Sequence, residues 1–472
     1  MISELGVAFS PRSIAVIGAS ANPDTPGYDY VSSILETGFK GQVYPVNPKG
    51  GEILGLSVYT SLREVPGDID YVISCIPSDY ILDLVAQAAE RKVKAMQLFT
   101  GRFSETGKAE GIELEQRLLD AAREAGIRLI GPNCMGILNP AHGLSFRGDM
   151  PRARGPVGFL SQSGNLLFEI AHFGAPRGLL FSKAVSYGNG VDLDESDFLE
   201  YLAADDETRV IGAYVEGVGD GRRFLSALKM AAAAKPVVVL KGGRTAAGSR
   251  SAASHTAALA GSGEVWAAAL KQSGAIAVDT VEDMIDMVLA CAYMRPGTGL
   301  RLGMVGAGGG RSVLTADLCE EVGLEVPPLP PDVESKVAER APDLAGWVTN
   351  PVDQSILAGS GLGGGQVLEW FDESPGIDVL LANMNEAWAF GRPGAADILP
   401  RIAERFIKVA SATRKPFAVA LGPSDYPDEE RWRMVSEVRD RLADAGVATF
   451  PSVERAVRAL AAYAAHWRRR EH

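Results

Sequence analysis

The sequence predicts an α/β protein built on parallel, doubly wound sheets, and three observations carry that expectation. Short apolar runs such as SIAVIGAS (residues 13–20) and DYVISCIPS (residues 70–78) alternate with stretches of helical pattern, residues 80–91 and 108–125 among them. The runs end in turn chemistry: Gly18-Ala19-Ser20, Asn47-Pro48-Lys49, Ile76-Pro77-Ser78 and Gly131-Pro132-Asn133. Buried strands separated by helices need crossover connections, and such sheets hold ligands beyond the strand C-terminal ends. The third observation is length, because 472 residues exceed one core and correspond to about three domains.

Composition narrows the function class. A hydrophobic content of 46% with 22% charged residues suits a globular protein with large cores. The net charge of -13 would repel a phosphate backbone, and the only dense basic run is Arg468 to Arg470, so no nucleic-acid partner is expected. Cys75, Cys134, Cys291 and Cys319 lie far apart without CxxC pairing, a reduced usage with neither a disulfide frame nor a zinc site. The N-terminal apolar run is too short for a signal peptide, and no window reaches the roughly 18 apolar residues of a membrane span. A soluble, cytoplasmic protein is expected, with no membrane partner.

In the first segment the strand-like runs continue with QVYPVNPK (residues 42–49), VKAMQLFT (93–100) and IRLIGPNCMG (127–136). A dinucleotide fingerprint would need a second glycine where Ser20 stands, and an NAD ribose would want an acid where the second run ends in Asn47. The NAD reading therefore falls. What fits is a phosphate-bearing nucleotide ligand held by N–H groups at the Gly18 turn, with Lys49 placed to meet a further phosphate.

The second segment begins with PVGFLSQSGNLLFEIAHFG (residues 156–174), in which a strand ends at Ser161-Gln162-Ser163-Gly164 and a helix follows. Free N–H groups and the positive dipole end make such a start an anion site, and an ordinary serine N-cap would use the same residues. Further strands are expected at residues 179–186, 209–216 and 236–240. Glu216 closes the second of these. The third runs into KGGRTAAGSRSAASHTAALAGS (residues 241–262), which is almost entirely Gly, Ala, Ser and Thr around a single imidazole, His255. Without a hydrophobic period it is expected to be a mobile loop.

The third segment repeats the second. RLGMVGAGGGRSVLTADLCEEVG (residues 301–323) echoes the strand, turn and helix at Ser161, and KPFAVALG (415–422) echoes KPVVVLKG (235–242). GVATFPSVERAVRALAAY (446–463) echoes GAIAVDTVEDMIDMVLACAY (274–293), and RPGTGL (295–300) links the copies. A second glycine-rich helix start thus falls at Gly308, Gly309 and Gly310. The histidine segment has no counterpart in the second copy, so it is an addition to a common scaffold.

The ordered set IGAS, VYPVNPK, IPS, GPNCMG, SQSG, VEG, SHTAALAGS, GAGGG and NPVD (residues 350–353) resembles the acyl-CoA synthetases of the nucleoside-diphosphate-forming superfamily, kin to the alpha subunit of succinyl-CoA synthetase. The resemblance implies an N-terminal Rossmann-like domain that binds coenzyme A (residues 1–150), a flavodoxin-like domain with a phosphohistidine loop (151–297) and a second flavodoxin-like domain (298–472). By the same resemblance coenzyme A lies on Gly18, Ala19, Ser20, Asn47, Pro48, Lys49, Ile76, Pro77, Ser78 and Asn133. Phosphate would be carried on His255, steadied by Glu216. It would be cradled by Ser161, Gln162, Ser163 and Gly164 and by Gly308, Gly309 and Gly310. The implied reaction joins an acid to coenzyme A at the expense of ATP, through an acyl phosphate and a phosphohistidine. The acid pocket is expected between the first two domains. ATP or ADP with Mg2+ is expected on an ATP-grasp beta subunit, in a hetero-oligomer or a homodimer, with no metal site on this chain. A coenzyme A-binding sensor or scaffold without ligase activity is the alternative.

Overall fold

Among the described residues, three mainly parallel sheets carry the fold. The structure is a computed structural model that describes residues 2–256, 262–384, 386–390, 394–422 and 428–471. The first sheet is built from β1 (Ser13–Ile17), β2 (Gln42–Val46), β5 (Tyr71–Ser74), β6 (Ala95–Leu98) and β7 (Arg128–Ile130), in the order β2-β1-β5-β6-β7. Between them, β3 (Glu52–Ile53) and β4 (Leu56–Ser57) form a separate small hairpin. The second sheet comprises β8 (Gly136–Leu138), β9 (Val157–Ser161), β10 (Phe181–Ser186), β11 (Val210–Val215), β12 (Val237–Lys241) and β13 (Ile276–Val278). Its order is β13-β12-β11-β9-β10-β8, with β8 antiparallel on the edge. The third holds β14 (Leu302–Ala307), β15 (Val352–Asp353), β16 (Val379–Asn383), β17 (Phe417–Ala420) and β18 (Ala448–Phe450), ordered β15-β14-β16-β17-β18.

Numbered within each sheet, with the hairpin and the antiparallel edge strand set aside, all three read 2-1-3-4-5, the flavodoxin-like doubly wound order. The sequence repeat between the second and third segments is thus a repeat of topology. In this order the chain reverses direction of progress between the first strand and the third. The crevice at that point is where doubly wound sheets bind ligands. It falls between β1 and β5, between β9 and β11, and between β14 and β16.

The chain divides into two compact units, residues 1–172 with 180–284, and residues 173–179 with 285–472. In the first unit Ala15, Val72, Met96 and Leu129 form the centre of the first sheet's core, and Phe159, Ile211 and Val238 lie buried on the second sheet. In the second unit Val305, Leu380, Val419 and Phe371 anchor the core of the third sheet. The short segment 173–179 joins this unit through Arg177, whose Nη2 bonds Thr449 O at 2.8 Å and Asp286 Oδ1 at 2.5 Å. Asp286 also accepts Arg455 Nε at 2.6 Å, so one buried carboxylate holds two guanidinium groups.

The segment expected to be a loop contains a helix. Residues Ala246–Thr256 are α-helical and Gly263–Ser273 forms the next helix. Alanine has the highest helix propensity and needs no apolar stripe to express it, which is why a search for hydrophobic periodicity passes over this stretch. The backbone of His255 falls in the first of these helices, and its side chain lies outside the described residues. No helix among the described residues is long and apolar enough to cross a membrane.

Candidate functional site

The first crevice is shaped by two crossing turns. Gly18 follows β1 with φ of +87°, and a Cβ there would lie 3.0 Å from Cys75 O, so glycine is required both by the backbone and by the close approach of the neighbouring strand end. Gly18 N donates to Val46 O at 2.9 Å and Ala19 N to the same oxygen at 3.2 Å. Asn47 then joins the turns: its Nδ2 donates to Ala19 O at 2.8 Å, and its Oδ1 accepts Lys49 N at 3.0 Å. Ser20 Oγ accepts Asn22 N at 3.1 Å, ordering the approach to the helix Pro26–Glu36, which Thr25 caps.

The remaining turns meet the same edge. Thr100 Oγ1 donates to Ile76 O at 2.6 Å, and Asn133 N donates to Thr100 O at 2.9 Å, which brings the ends of β5, β6 and β7 together. Pro77 precedes the short helix Ser78–Tyr80, and Asn133 has φ of +58°. Cys134 beside it is buried, and burial pushes its thiol up to about 12. It stays protonated at neutral pH and is no nucleophile.

The second crevice has the most closely built arrangement of polar groups. Register pairs Tyr214 with Ser161 across β11 and β9, and Val215 with Lys241 across β11 and β12. The residues just beyond, Gln162, Glu216 and Gly242, therefore share one edge. Gln162 Oε1 accepts the backbone N–H of Glu216 and, at 3.1 Å, that of Gly217. Tyr214 donates its hydroxyl to Glu216 Oε1 at 3.1 Å. Lys241 Nζ donates to Glu216 O at 2.7 Å and to Gly242 O. A Cβ on Gly242 would stand 2.6 Å from the Tyr214 hydroxyl, so a larger residue would push the phenol off the carboxylate.

Gln162, Glu216 and Lys241 are each at most 5% exposed. Burial draws the Lys241 ammonium down to about 8 against the opposing pull of Glu216. Its Nζ also lies 4.8 Å from the centroid of the Trp266 ring, on the helix that follows the histidine segment. At the adjoining helix start, Ser163 Oγ accepts Leu166 N at 3.3 Å and Ser161 Oγ accepts Ser163 N at 3.2 Å. The Ser161 hydroxyl is thus engaged within the turn and that of Ser163 as a cap, and Gly164 opens the helix Gly164–Gly174.

The third crevice carries the glycine turn. Gly308 is the N-cap of the helix Gly309–Glu321 and no side chain caps it. The N–H groups at the Gly309, Gly310 and Arg311 positions are the orphan donors of a helix start, at the positive end of a 13-residue dipole. A cavity of about 550 Å³ opens beside Gly308, walled by Met384, Leu399, Ile402 and Phe406 with Gln354 and Arg405 at polar positions. Among the described residues no cluster of three His, Cys, Asp or Glu side chains is disposed to hold a metal ion.

Two family models match parts of the chain. A coenzyme A-binding domain family matches residues 12–140, and a succinyl-CoA ligase-like flavodoxin domain family matches residues 154–291. The alpha subunit of ADP-forming acetate–CoA ligase II from Pyrococcus furiosus is 38% identical over 374 residues, covering 79% of this chain and 81% of the relative. The alpha subunit of ligase I from the same organism is 33% identical over 465 residues, covering 97% and 96%. The chain belongs to this family of ADP-forming acyl-CoA ligase alpha subunits. The solved acetyl-coenzyme A synthetase 1 of Ca. Korarchaeum cryptofilum, in complex with phosphate and ADP, superposes with a TM-score of 0.83 at 31% identity, over 99% of this chain and 97% of that one.

For this family member, reading the sequence located the turns and Glu216 but passed over Lys241, Tyr214 and Trp266. A strand-terminal lysine looks like a solvated residue, and its partners lie 25 positions away on either side, which no local pattern connects. The one available signal was the interruption of an all-apolar strand, PVVVL, by a lysine directly before a glycine pair.

Proposed function

We propose that this chain is the coenzyme A-binding, histidine-phosphorylated subunit of an ADP-forming acid–thiol ligase, catalysing acid + coenzyme A + ATP ⇌ acyl-CoA + ADP + phosphate. The observation that carries the reading is the fixed position of Glu216. Its backbone is held by Gln162 and Lys241 and its carboxylate by Tyr214, at the root of the segment that bears His255. Kinship to ligase alpha subunits favours this over a non-catalytic coenzyme A sensor or scaffold.

In the acyl-CoA-consuming direction a phosphate oxygen attacks the thioester carbonyl, the C–S bond breaks, and coenzyme A leaves as the thiol after gaining a proton. An imidazole nitrogen of His255 attacks phosphorus in the resulting acyl phosphate, and the P–O bond to the acyl oxygen breaks to release the carboxylate. A terminal phosphate oxygen of ADP then takes the phosphoryl group from the histidine. Imidazole suits both transfers because it is largely neutral near pH 7 and nucleophilic. A carboxylate on its other nitrogen orients the ring and stabilises the charge it gains, the role assigned to Glu216. The helix starts at Ser161-Gln162-Ser163-Gly164 and Gly308-Gly309-Gly310 would stabilise phosphate oxygens through backbone N–H groups and the dipole.

The turns at Gly18-Ala19-Ser20, Asn47-Pro48-Lys49, Ile76-Pro77-Ser78 and Asn133 are assigned to coenzyme A. We divide the chain functionally into residues 1–150, 151–297 and 298–472. The cavity beside Gly308 is assigned to the acid. It stands beside the expected acid site between the first two domains, and what supports it is the combination of an apolar wall with a guanidinium and an open helix start. ATP or ADP with Mg2+ is assigned to an ATP-grasp partner subunit in a cytoplasmic assembly. Incubation with acyl-CoA and labelled phosphate tests the proposal. Acid-labile, base-stable label is expected on the wild-type chain and none on His255→Ala; label of that kind persisting in the variant overturns the assignment.

A further inference from the structure

We propose that Lys241 is a positioning residue, clamping both ends of the histidine-bearing segment to Glu216. It rests on the phosphohistidine reading for its catalytic consequence, though the clamp itself is a matter of geometry. Lys241 is the last residue of β12 and only 4% exposed. One ammonium makes three contacts, one with its own neighbour Gly242 and two with other pieces of chain. It donates to Glu216 O at 2.7 Å, to Gly242 O at the start of the segment, and faces the Trp266 ring at 4.8 Å just after its end. Trp266 is 8% exposed and packs on Phe224 with ring centroids 5.3 Å apart, so the aromatic face offered to the cation is itself held.

The two ends are already close. A Cβ at Gly263 would lie 3.1 Å from Arg244 O, and Arg244 Nη2 bonds Asp279 O at 3.0 Å beyond the second helix. The Arg244 pair is exposed and screened, whereas the Lys241 contacts are buried. A partly desolvated ammonium over a tryptophan is the stronger tie. Closing both ends on the residue that is to meet the imidazole shortens the set of places the histidine can visit. That is the physical content of positioning.

The test compares Lys241→Met, Lys241→Arg and Trp266→Leu with the wild-type chain by two readouts. The first is tryptic cleavage after Arg250, which lies exposed in the helix Ala246–Thr256. The second is the initial rate of His255 labelling from labelled acetyl phosphate, with coenzyme A affinity as the control for folding. Lys241→Met is expected to speed cleavage and slow labelling about tenfold each, with coenzyme A affinity unchanged. Arginine keeps donors and stacks on aromatic faces, so Lys241→Arg should recover most of both. Trp266→Leu should shift both in the same direction as Lys241→Met, and it carries the comparison if the methionine variant does not fold. Wild-type cleavage and labelling in a folded Lys241→Met or Trp266→Leu overturns the clamp. A wild-type chain that takes no label overturns the phosphohistidine reading instead, and the cleavage rates still decide the clamp.

Discussion

Gln162 and Glu216 are joined through the backbone: the side-chain oxygen of Gln162 accepts the N–H of Glu216 and, at 3.1 Å, that of Gly217. The residue after β9 thereby fixes the residue after β11 across the crevice, leaving the Glu216 carboxylate to Tyr214 and to the catalytic role assigned to it. Gln162→Ala would strand two buried donors, at about 1–3 kcal/mol each before water or relaxation offsets the loss. The expected outcome is a lower denaturation midpoint together with slower His255 labelling. Gln162→Glu retains an acceptor and should recover stability, but it sets a negative charge beside the assigned phosphate site. A raised KM for phosphate with near-normal stability would separate the two effects, and a Gln162→Ala chain as stable and as active as wild type would remove the argument.

Asn47 plays the corresponding part in the first crevice, tying the Gly18 turn to the Lys49 turn through Ala19 O and Lys49 N. Asn47→Ala should weaken coenzyme A binding about tenfold, the scale of one or two lost positioning bonds. Labelling of His255 from acetyl phosphate bypasses coenzyme A and should stay at the wild-type rate. Calorimetric titration against coenzyme A and a labelling time course check the two halves separately. Equal losses in both would mean that Asn47 supports the fold as a whole.

How much of this was legible in the residues depended on the range of the interaction. Strand runs ending in Gly18, Asn47, Ile76 and Ser161 could be read because the burial of a parallel strand and the turn that ends it are both local. The repeat was legible for the same reason, and it reappears as the shared 2-1-3-4-5 strand order. Glu216 was legible as a partner for His255 from its place at a strand end together with the family resemblance. The helix Ala246–Thr256 was missed because it has no apolar face to mark it and the residues that favour helix are chiefly its alanines, which lose no side-chain entropy. The Lys241 contacts were missed because they are tertiary, made of groups 25 residues apart in sequence.

His466 supplies a pH test in the second unit. It is 1% exposed in the helix Val453–Glu471, and neither ring nitrogen has a hydrogen-bond partner among the described residues. Burial first, then Arg470 and Arg469, pull its pKa down to about 4. The folded state therefore binds the proton less readily than the unfolded chain, where the value is about 6.5. Stability from the neutral ring is complete above pH 6.5 and is lost as pH falls from there toward 4, by roughly 1–2 kcal/mol at pH 5. His466→Phe should abolish this part of the acid sensitivity. Urea midpoints at pH 7.5 and 5.0 are expected to diverge between wild type and variant only at the lower pH.

The cavity beside Gly308 yields the last prediction, because its walls set what body an acid can have. Leu399 and Phe406 are buried in the core of the third sheet, so changing them would damage packing, whereas Ile402 is only partly buried and lines the space. Ile402→Trp adds a large ring to a cavity of about 550 Å³ at a residue on the margin of the core rather than within it. If the acid binds there, kcat/KM for aryl and branched acids should fall about tenfold or more while acetate is nearly unaffected, since one displaced methylene-sized contact is worth about 1–3 kcal/mol in discrimination. His255 labelling from acetyl phosphate should remain at the wild-type rate, because the small acyl group still fits. An acid panel run on both chains with the partner subunit present decides it: an unchanged ranking of acids would move the substrate pocket away from the third sheet. Loss of all acids together, acetate included, would mean that the new ring blocks the Gly308 helix start rather than the acid's body.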